Sequence, residues 1–209
     1  IKQPDNAKKG FLSKELAKKI LNALKEKTQE NSNIYGLSVL LLFTGARFSE
    51  VASLTWNDIN FDKELIYFKS TKGGNERHIA MTSLVKEVLL KKKHDTVLVF
   101  SSNNQIQITQ MPKQWQKIVD DVIVENNPEK PKSDASQNEI DLYNKKLKHR
   151  ITVHSLRHTH ASWMAISAKF SLLEIRDELG HKSLQMTERY AHLVPIDRHQ
   201  KTNELFEEF

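Results

Sequence analysis

The sequence predicts a mainly helical domain carrying a small antiparallel β-sheet, an α+β fold. Three observations predict it. Apolar residues recur at helical spacing through most of the 209 residues. Between Asp58 and Met81 that period gives way to short runs rich in Ile, Leu, Tyr and Phe, which suit strands. Gly73-Gly74 lies between two of these runs, and paired glycines mark a hairpin.

Ile1 to Gly10 is polar and reads as a linker end. Ser13 can cap a first helix running to about Glu30, with Leu16, Ala17, Ile20, Leu21 and Leu24 on one face. Tyr35 to Phe43 is apolar on every side, which predicts a buried second helix. It stops at Thr44-Gly45, where glycine can take the left-handed conformation that ends a helix. Phe48 to Val51 starts a short third helix, and Glu50 lies three residues after Arg47, within reach of its guanidinium. Ile59, Leu65–Phe68 and His78–Met81 read as strands, with Lys72 at a hairpin tip between the last two.

Ser83 to Lys93 reads as a helix, Val97 to Phe100 as a short extended piece, and Thr109 to about Glu125 as another helix. Residues 126–147 are polar, hold Pro128 and Pro131, and predict a surface loop or insertion. Ser155 suits a helix start next to His154, with Arg157 in the first turn. His154 and Arg157 are three apart, so they share a face. Leu172, Leu173, Ile175 and Leu179 predict a helix ended by Gly180, with His181 in the turn beyond. Ser183 can cap a short helix carrying Tyr190, and Pro195 can begin a last helix over residues 195–209.

Composition narrows the function. There is no cysteine, so disulfides and thiolate metal sites are excluded and an intracellular setting is the default. No apolar run approaches the length of a membrane span, and no signal-peptide pattern opens the chain. It begins at Ile1 and so reads as a fragment or a processed form. The net charge of +6 suits a polyanion partner, or equally a solvated basic surface. His154, His158 and His160 make no convincing zinc pattern, because His158 and His160 would not share a helix face. No phosphate-cradling GxxxxGK loop is present, so no ATP is implied. No cofactor and no metal are expected.

Taken singly, a His-x-x-Arg pair, a hairpin lysine or a helical tyrosine is more often structural than catalytic. Their order changes the balance. FTGARFSEV, STKGGNERHIAM, HSLRHTHAS and LGHKSLQMTERYAHL follow one another along the chain. In these motifs, from about Phe11 to His192, the sequence resembles the tyrosine recombinases, the phage-integrase family of DNA strand-exchange enzymes. The resemblance implies that family's catalytic-domain fold over residues 11–209 and six catalytic positions: Arg47, Lys72, His154, Arg157, His181 and Tyr190. It makes Glu50 the support of Arg47. It implies a 3′-phosphotyrosine intermediate on double-stranded DNA, with Tyr190 as nucleophile and His154 accepting its proton. Arg47 and Arg157 would clamp the phosphate, His181 would add a hydrogen bond, and Lys72 would protonate the departing 5′ oxygen.

Site-specific integration or excision is the activity implied; a type IB topoisomerase and a silent DNA-binding module are the alternatives. Arg77, Lys148, Arg150 and Lys182 are the candidates for further DNA contact. The resemblance further implies a tetrameric synapse on DNA, a cytoplasmic setting, and a DNA-clamping domain before residue 1. A C-terminal helix would dock on a neighbouring subunit or on its own domain. His160 stands where the family often has an apolar residue, with no evident reason in the sequence.

Overall fold

A computed structural model of the chain describes residues 10–30, 32–69, 75–92, 96–102, 106–127, 131, 134–147 and 151–195. Lys72, Lys148, Arg150, most of the expected linker and the expected last helix lie outside the described residues.

Helix α2 (Asn33–Thr44) is the hub. Ten of its residues are buried, Leu37, Leu40, Leu41 and Leu42 among them, and this all-round apolarity lets α1 (Lys14–Thr28), α3 (Phe48–Ala52), α4 (Ser83–Lys92) and α7 (Val153–Ser167) pack around it. Helix α1 (Lys14–Thr28) starts where expected: Ser13 Oγ accepts the Leu16 amide at 3.1 Å. Its apolar face carries Ala17, Ile20, Leu21 and Leu24 inward, against α2 and α5 (Lys113–Glu125). Helix α5 begins after Pro112, four residues later than the periodicity suggested, because a proline disfavours helical geometry in the residue before it. Helices α3 (Phe48–Ala52) and α4 (Ser83–Lys92) complete the shell around α2.

The sheet is a meander of β1 (Ile59–Asn60), β2 (Leu65–Phe68) and β3 (Arg77–Ala80). In the β2–β3 ladder Ile66 faces Ile79 and Phe68 faces Arg77. Strand alternation therefore sends Ile66, Phe68, Arg77 and Ile79 to the buried face and leaves Tyr67 and His78 paired outside.

The expected loop at 126–147 is corrected in its second half: Gln137–Leu147 form helix α6. Its start is a capping box. Ser136 donates its amide and hydroxyl to Glu139 Oε2 at 2.9 and 2.8 Å. Tyr143 then ties α6 to α5 by donating to the Val124 carbonyl at 3.2 Å.

Helix α7 (Val153–Ser167) and helix α8 (Leu172–Leu179) are followed by the short helix α9 (Gln185–Glu188) and a 3-10 turn at Ala191–Leu193. The start of α7 differs from expectation. Thr152 is the N-cap, and Ser155 accepts the Thr152 amide from the third helical position at 3.1 Å. Tyr190 is not within the short helix but in the turn after it. A second small core of Ala161, Met164, Ala165, Ile175, Leu179 and Tyr190 joins α7 and α8 to this turn. Among the described residues no helix is long and apolar enough to cross a membrane.

Candidate active site

Two helix ends build the centre. Gly45 and Gly180, at φ +61° and +63°, turn the chain out of α2 and α8. Helix C-termini leave carbonyls without helical partners and carry partial negative charge. Arg157, in the second turn of α7, fits between them. Its Nη1 donates to the Gly45 carbonyl at 2.6 Å and its Nη2 to the Leu179 carbonyl at 2.7 Å. Arg157 is 4% exposed, and its guanidinium is held on two sides. Burial and the neighbouring Arg47 pull its pKa down to about 10, so it remains charged at neutral pH. His160 also gains a role: its Nδ1 lies 3.0 Å from the Leu42 carbonyl, near the same end of α2.

Arg47 is the N-cap residue of α3. Glu50, 3% exposed, holds it as expected: Oε2 accepts the Arg47 amide at 2.7 Å and Oε1 accepts Arg47 Nη1 at 3.0 Å. The same carboxylate binds Arg77, at 3.0 Å from Nη2 to Oε2 and 3.3 Å from Nη1 to Oε1. Burial pushes the Glu50 pKa up, but the bond and charge of Arg77 and the Arg47 amide and charge outweigh it, and the net shift is downward. Arg77, expected as a candidate for DNA contact, is turned inward and braces Glu50. Its Nε donates to the Glu178 carbonyl at 2.7 Å, and its side chain faces the core because of its place in β3. The alternation that buries Ile79 was the signal for this in the sequence.

His181 follows Gly180. Its Nδ1 lies 2.8 Å from Thr187 Oγ1, and both residues are buried. Burial, with Arg157 and Arg47 nearby, takes its pKa down to about 4. Tyr190 is 5% exposed; burial raises its pKa, against the pull of Arg189 and Arg157.

Arg47, His154, Arg157, His181 and Tyr190 line one cavity of about 370 Å3, together with His158, Arg189, Gln185 and Met186. The structure therefore brings together five of the six expected catalytic residues; the sixth, Lys72, lies outside the described residues. Among the described residues no carboxylate lines it, while Arg47, Arg157 and Arg189 do, so this wall is cationic. Lys182 is exposed next to it in sequence. A second cavity of about 310 Å3 continues past Arg47, His154 and Arg157 to Thr109, Gln110 and Met111. A larger one, about 940 Å3, lies among α1, α2 and α7, is mostly apolar in lining and contains none of the six residues. Anion chemistry belongs to the arginine-lined cavity.

Four lining residues were not expected, Gln185, Met186, Arg189 and His158, and two of them bear on the chemistry. Arg189 precedes the tyrosine directly. His158 lies four residues after His154, hence on the same helix face, a spacing legible in the sequence. His158 Nδ1 is 2.6 Å from Tyr190 Oη, while His154 meets the His158 ring edge-on at 4.6 Å. Among the described residues no cluster of three or more His, Asp or Glu could hold a metal ion.

The model of the phage integrase family matches residues 10–195. The chain belongs to the phage integrase family. Integrase-family relatives include tyrosine recombinase XerS of Streptococcus gordonii, 27% identical over 93% of this chain and 52% of the relative. Tyrosine recombinase XerA of Pyrococcus furiosus is 27% identical over 88% of this chain and 57% of its own length. The chain spans about half the length of the curated relatives it matches. Among solved structures, the catalytic domain of bacteriophage HP1 integrase superposes with a TM-score of 0.63 at 21% identity, covering 94% of both chains. The Tn1549 transposon integrase, solved with transposon right end DNA, gives 0.66 at 18% identity, over 94% of this chain and 66% of that one. These likenesses establish the integrase catalytic-domain fold.

Proposed function

We propose that this chain is the catalytic domain of a site-specific DNA recombinase that cuts and rejoins double-stranded DNA through a 3′-phosphotyrosine link. One observation carries the reading. A buried phenol, two arginines each held by its own neighbours, and three histidines share one cavity, with no carboxylate among the described residues of its wall. A phosphodiester is the anion such a wall suits. A solved relative agrees in class: the XerH site-specific recombinase, 21% identical, is bound to a palindromic difH substrate in a post-cleavage complex.

The chemistry follows from the groups present. Tyr190 Oη attacks the phosphorus, the bond to the 5′ oxygen breaks, and the link stores the phosphodiester for rejoining. The pentacoordinate transition state carries more charge on its non-bridging oxygens. Arg47 and Arg157 meet it with always-charged forks that need no reorientation, because Glu50, Gly45 and Leu179 already hold them. His181 adds a hydrogen bond, and Lys72 gives the departing oxygen its proton. Losing either arginine raises the barrier by roughly 3–4 kcal/mol, the scale of a lost oxyanion donor. The phenol's proton goes to a histidine, His154 in the family pattern. Further copies of the chain would assemble on the DNA, with backbone contacts from Lys148, Arg150 and Lys182.

The test is covalent. The chain is incubated with a randomised pool of nicked suicide duplexes, and denaturing gels separate protein-linked DNA. Wild type should form an adduct and Tyr190→Phe none, with DNA binding largely kept. An adduct from Tyr190→Phe removes Tyr190 as nucleophile; none from wild type overturns the reading.

A further inference from the structure

Tyr190 Oη has a partner, and it is not the histidine of the family pattern. His158 Nδ1 stands 2.6 Å away, within the range of a short hydrogen bond. His154 is one helical turn earlier on the same face, exposed, and meets His158 ring to ring. The ring of His158 borders two cavities. One is the arginine-lined cavity; the other, about 560 Å3, lies behind Tyr190 and is lined also by Gly10, Phe11, Ser162 and His192.

We propose that His158 is a catalytic residue: its Nδ1 takes the proton of Tyr190 as the phenol oxygen attacks phosphorus, and His154 is left to bond the phosphate. The inference rests on the strand-cleavage reading above. In the step the Tyr190 O–H bond breaks, the O–P bond forms, and the P–O bond to the 5′ oxygen breaks. His158 becomes an imidazolium, and the leaving oxygen takes its proton from Lys72.

The surroundings suit this role. Among the described residues no carboxylate lines either cavity, and the acceptor within hydrogen-bond distance of the phenol is a histidine. The charged and titratable groups around His158 are His154 and Arg157 on its own helix, Arg189 and Tyr190 from the turn after α9, and His192 beyond them. Burial, then His154, Arg189 and Arg157, bring the His158 pKa down to about 4, so the ring is neutral and able to accept at physiological pH. Arg189 and Arg157 also stabilise the phenolate that forms. The second cavity, which His158 also lines, gives its ring a route to return the proton to water.

The experiment measures the adduct-forming rate on a duplex recovered from the pool, from pH 6 to 9, for wild type, His158→Gln and His154→Gln. Glutamine keeps a hydrogen-bonding group but cannot take the proton. Wild type should be flat across this range, because the acceptor is already neutral. His158→Gln should be slower by about 10²–10⁴-fold at pH 7. Its rate should then rise about tenfold per pH unit, following the phenolate fraction of Tyr190, whose pKa burial holds above the ordinary phenol value. His154→Gln should be slower but flat. A substrate with sulfur at the 5′ bridging position should speed Lys72→Ala and leave His158→Gln slow, since sulfur needs no proton to leave.

A flat His158→Gln profile within tenfold of wild type, or the slope moving to His154→Gln, overturns the proposal while the cleavage reading stands. Absence of any wild-type adduct overturns both. If His158→Gln does not fold, nitrogen NMR of the wild-type ring decides. A bare Nδ1 and a protonated Nε2 at pH 7 support the proposal, and a proton on Nδ1 overturns it.

Discussion

Glu50→Gln tests the support beneath the phosphate clamp. Each carboxylate oxygen serves both arginines. Oε2 accepts the Arg47 amide at 2.7 Å and Arg77 Nη2 at 3.0 Å; Oε1 accepts Arg47 Nη1 at 3.0 Å and Arg77 Nη1 at 3.3 Å. Glutamine has one acceptor oxygen. Whichever way its amide turns, two N–H donors face an NH2 group. Two charge-assisted bonds are then lost, at about 1.5–3 kcal/mol each, and the surviving two lose their charge. The Glu50 side chain is 1% exposed, so water cannot replace it, and two cations are left close together. Breaking a buried pair on one side costs about 3–5 kcal/mol, which agrees with the bond-by-bond figure. For a chain of this size the Tm should fall by roughly 6–20 °C. Urea unfolding of wild type and variant measures the free energy, and the adduct assay reads the loosened Arg47 separately. The folded variant should cut DNA about 10- to 100-fold more slowly, in line with the effect of geometry lost at a reacting centre. A stability loss below 1 kcal/mol with unchanged cleavage would refute the reasoning.

Gly45→Ala should destabilise by about 2–4 kcal/mol: φ of +61° is strained for alanine, and its Cβ would lie 2.6 Å from His160 Cδ2 and 2.9 Å from Leu179 Cδ2. Differential scanning calorimetry checks this, and an unchanged Tm would contradict it. Acid should destabilise the fold above the usual carboxylate range. His158, His160 and His181 have pKa values of about 4 in the folded chain against 6.5 as ordinary side chains. The unfolded chain therefore binds more protons below pH 6.5. Stability is full above that value and falls as pH drops toward 4, by up to about 1.4 kcal/mol per pH unit for each histidine. Urea midpoints at pH 7, 6 and 5 measure the slope. EDTA should leave the rate of adduct formation unchanged, because the arginines and Lys72 supply the charge stabilisation; a strong loss would point to a metal nuclease.

Short-range chemistry made much of this protein legible before any coordinates. Ser13 and the glycines at 45 and 180 mark helix ends because caps act over three or four residues. The Arg47–Glu50 pair is equally local. Ser136 and Glu139 form the capping box of helix α6, a local signal too, but Pro128 and Pro131 before it favour a loop. The order of the motifs points to the family and to five residues that share one cavity.

What the chain's own order could not settle was who meets whom across long separations. Arg157 is held by carbonyls 112 and 22 residues away, and Tyr190 reaches a histidine 32 positions back. Arg77 turns inward to a carboxylate 27 residues earlier. Such bonds depend on how α2, α7 and α8 pack, and packing is decided by the whole core at once, not by local propensity. The sequence alone determined which groups are present and where the helices stop. Only the tertiary structure decided that His158, and not His154, stands beside the phenol.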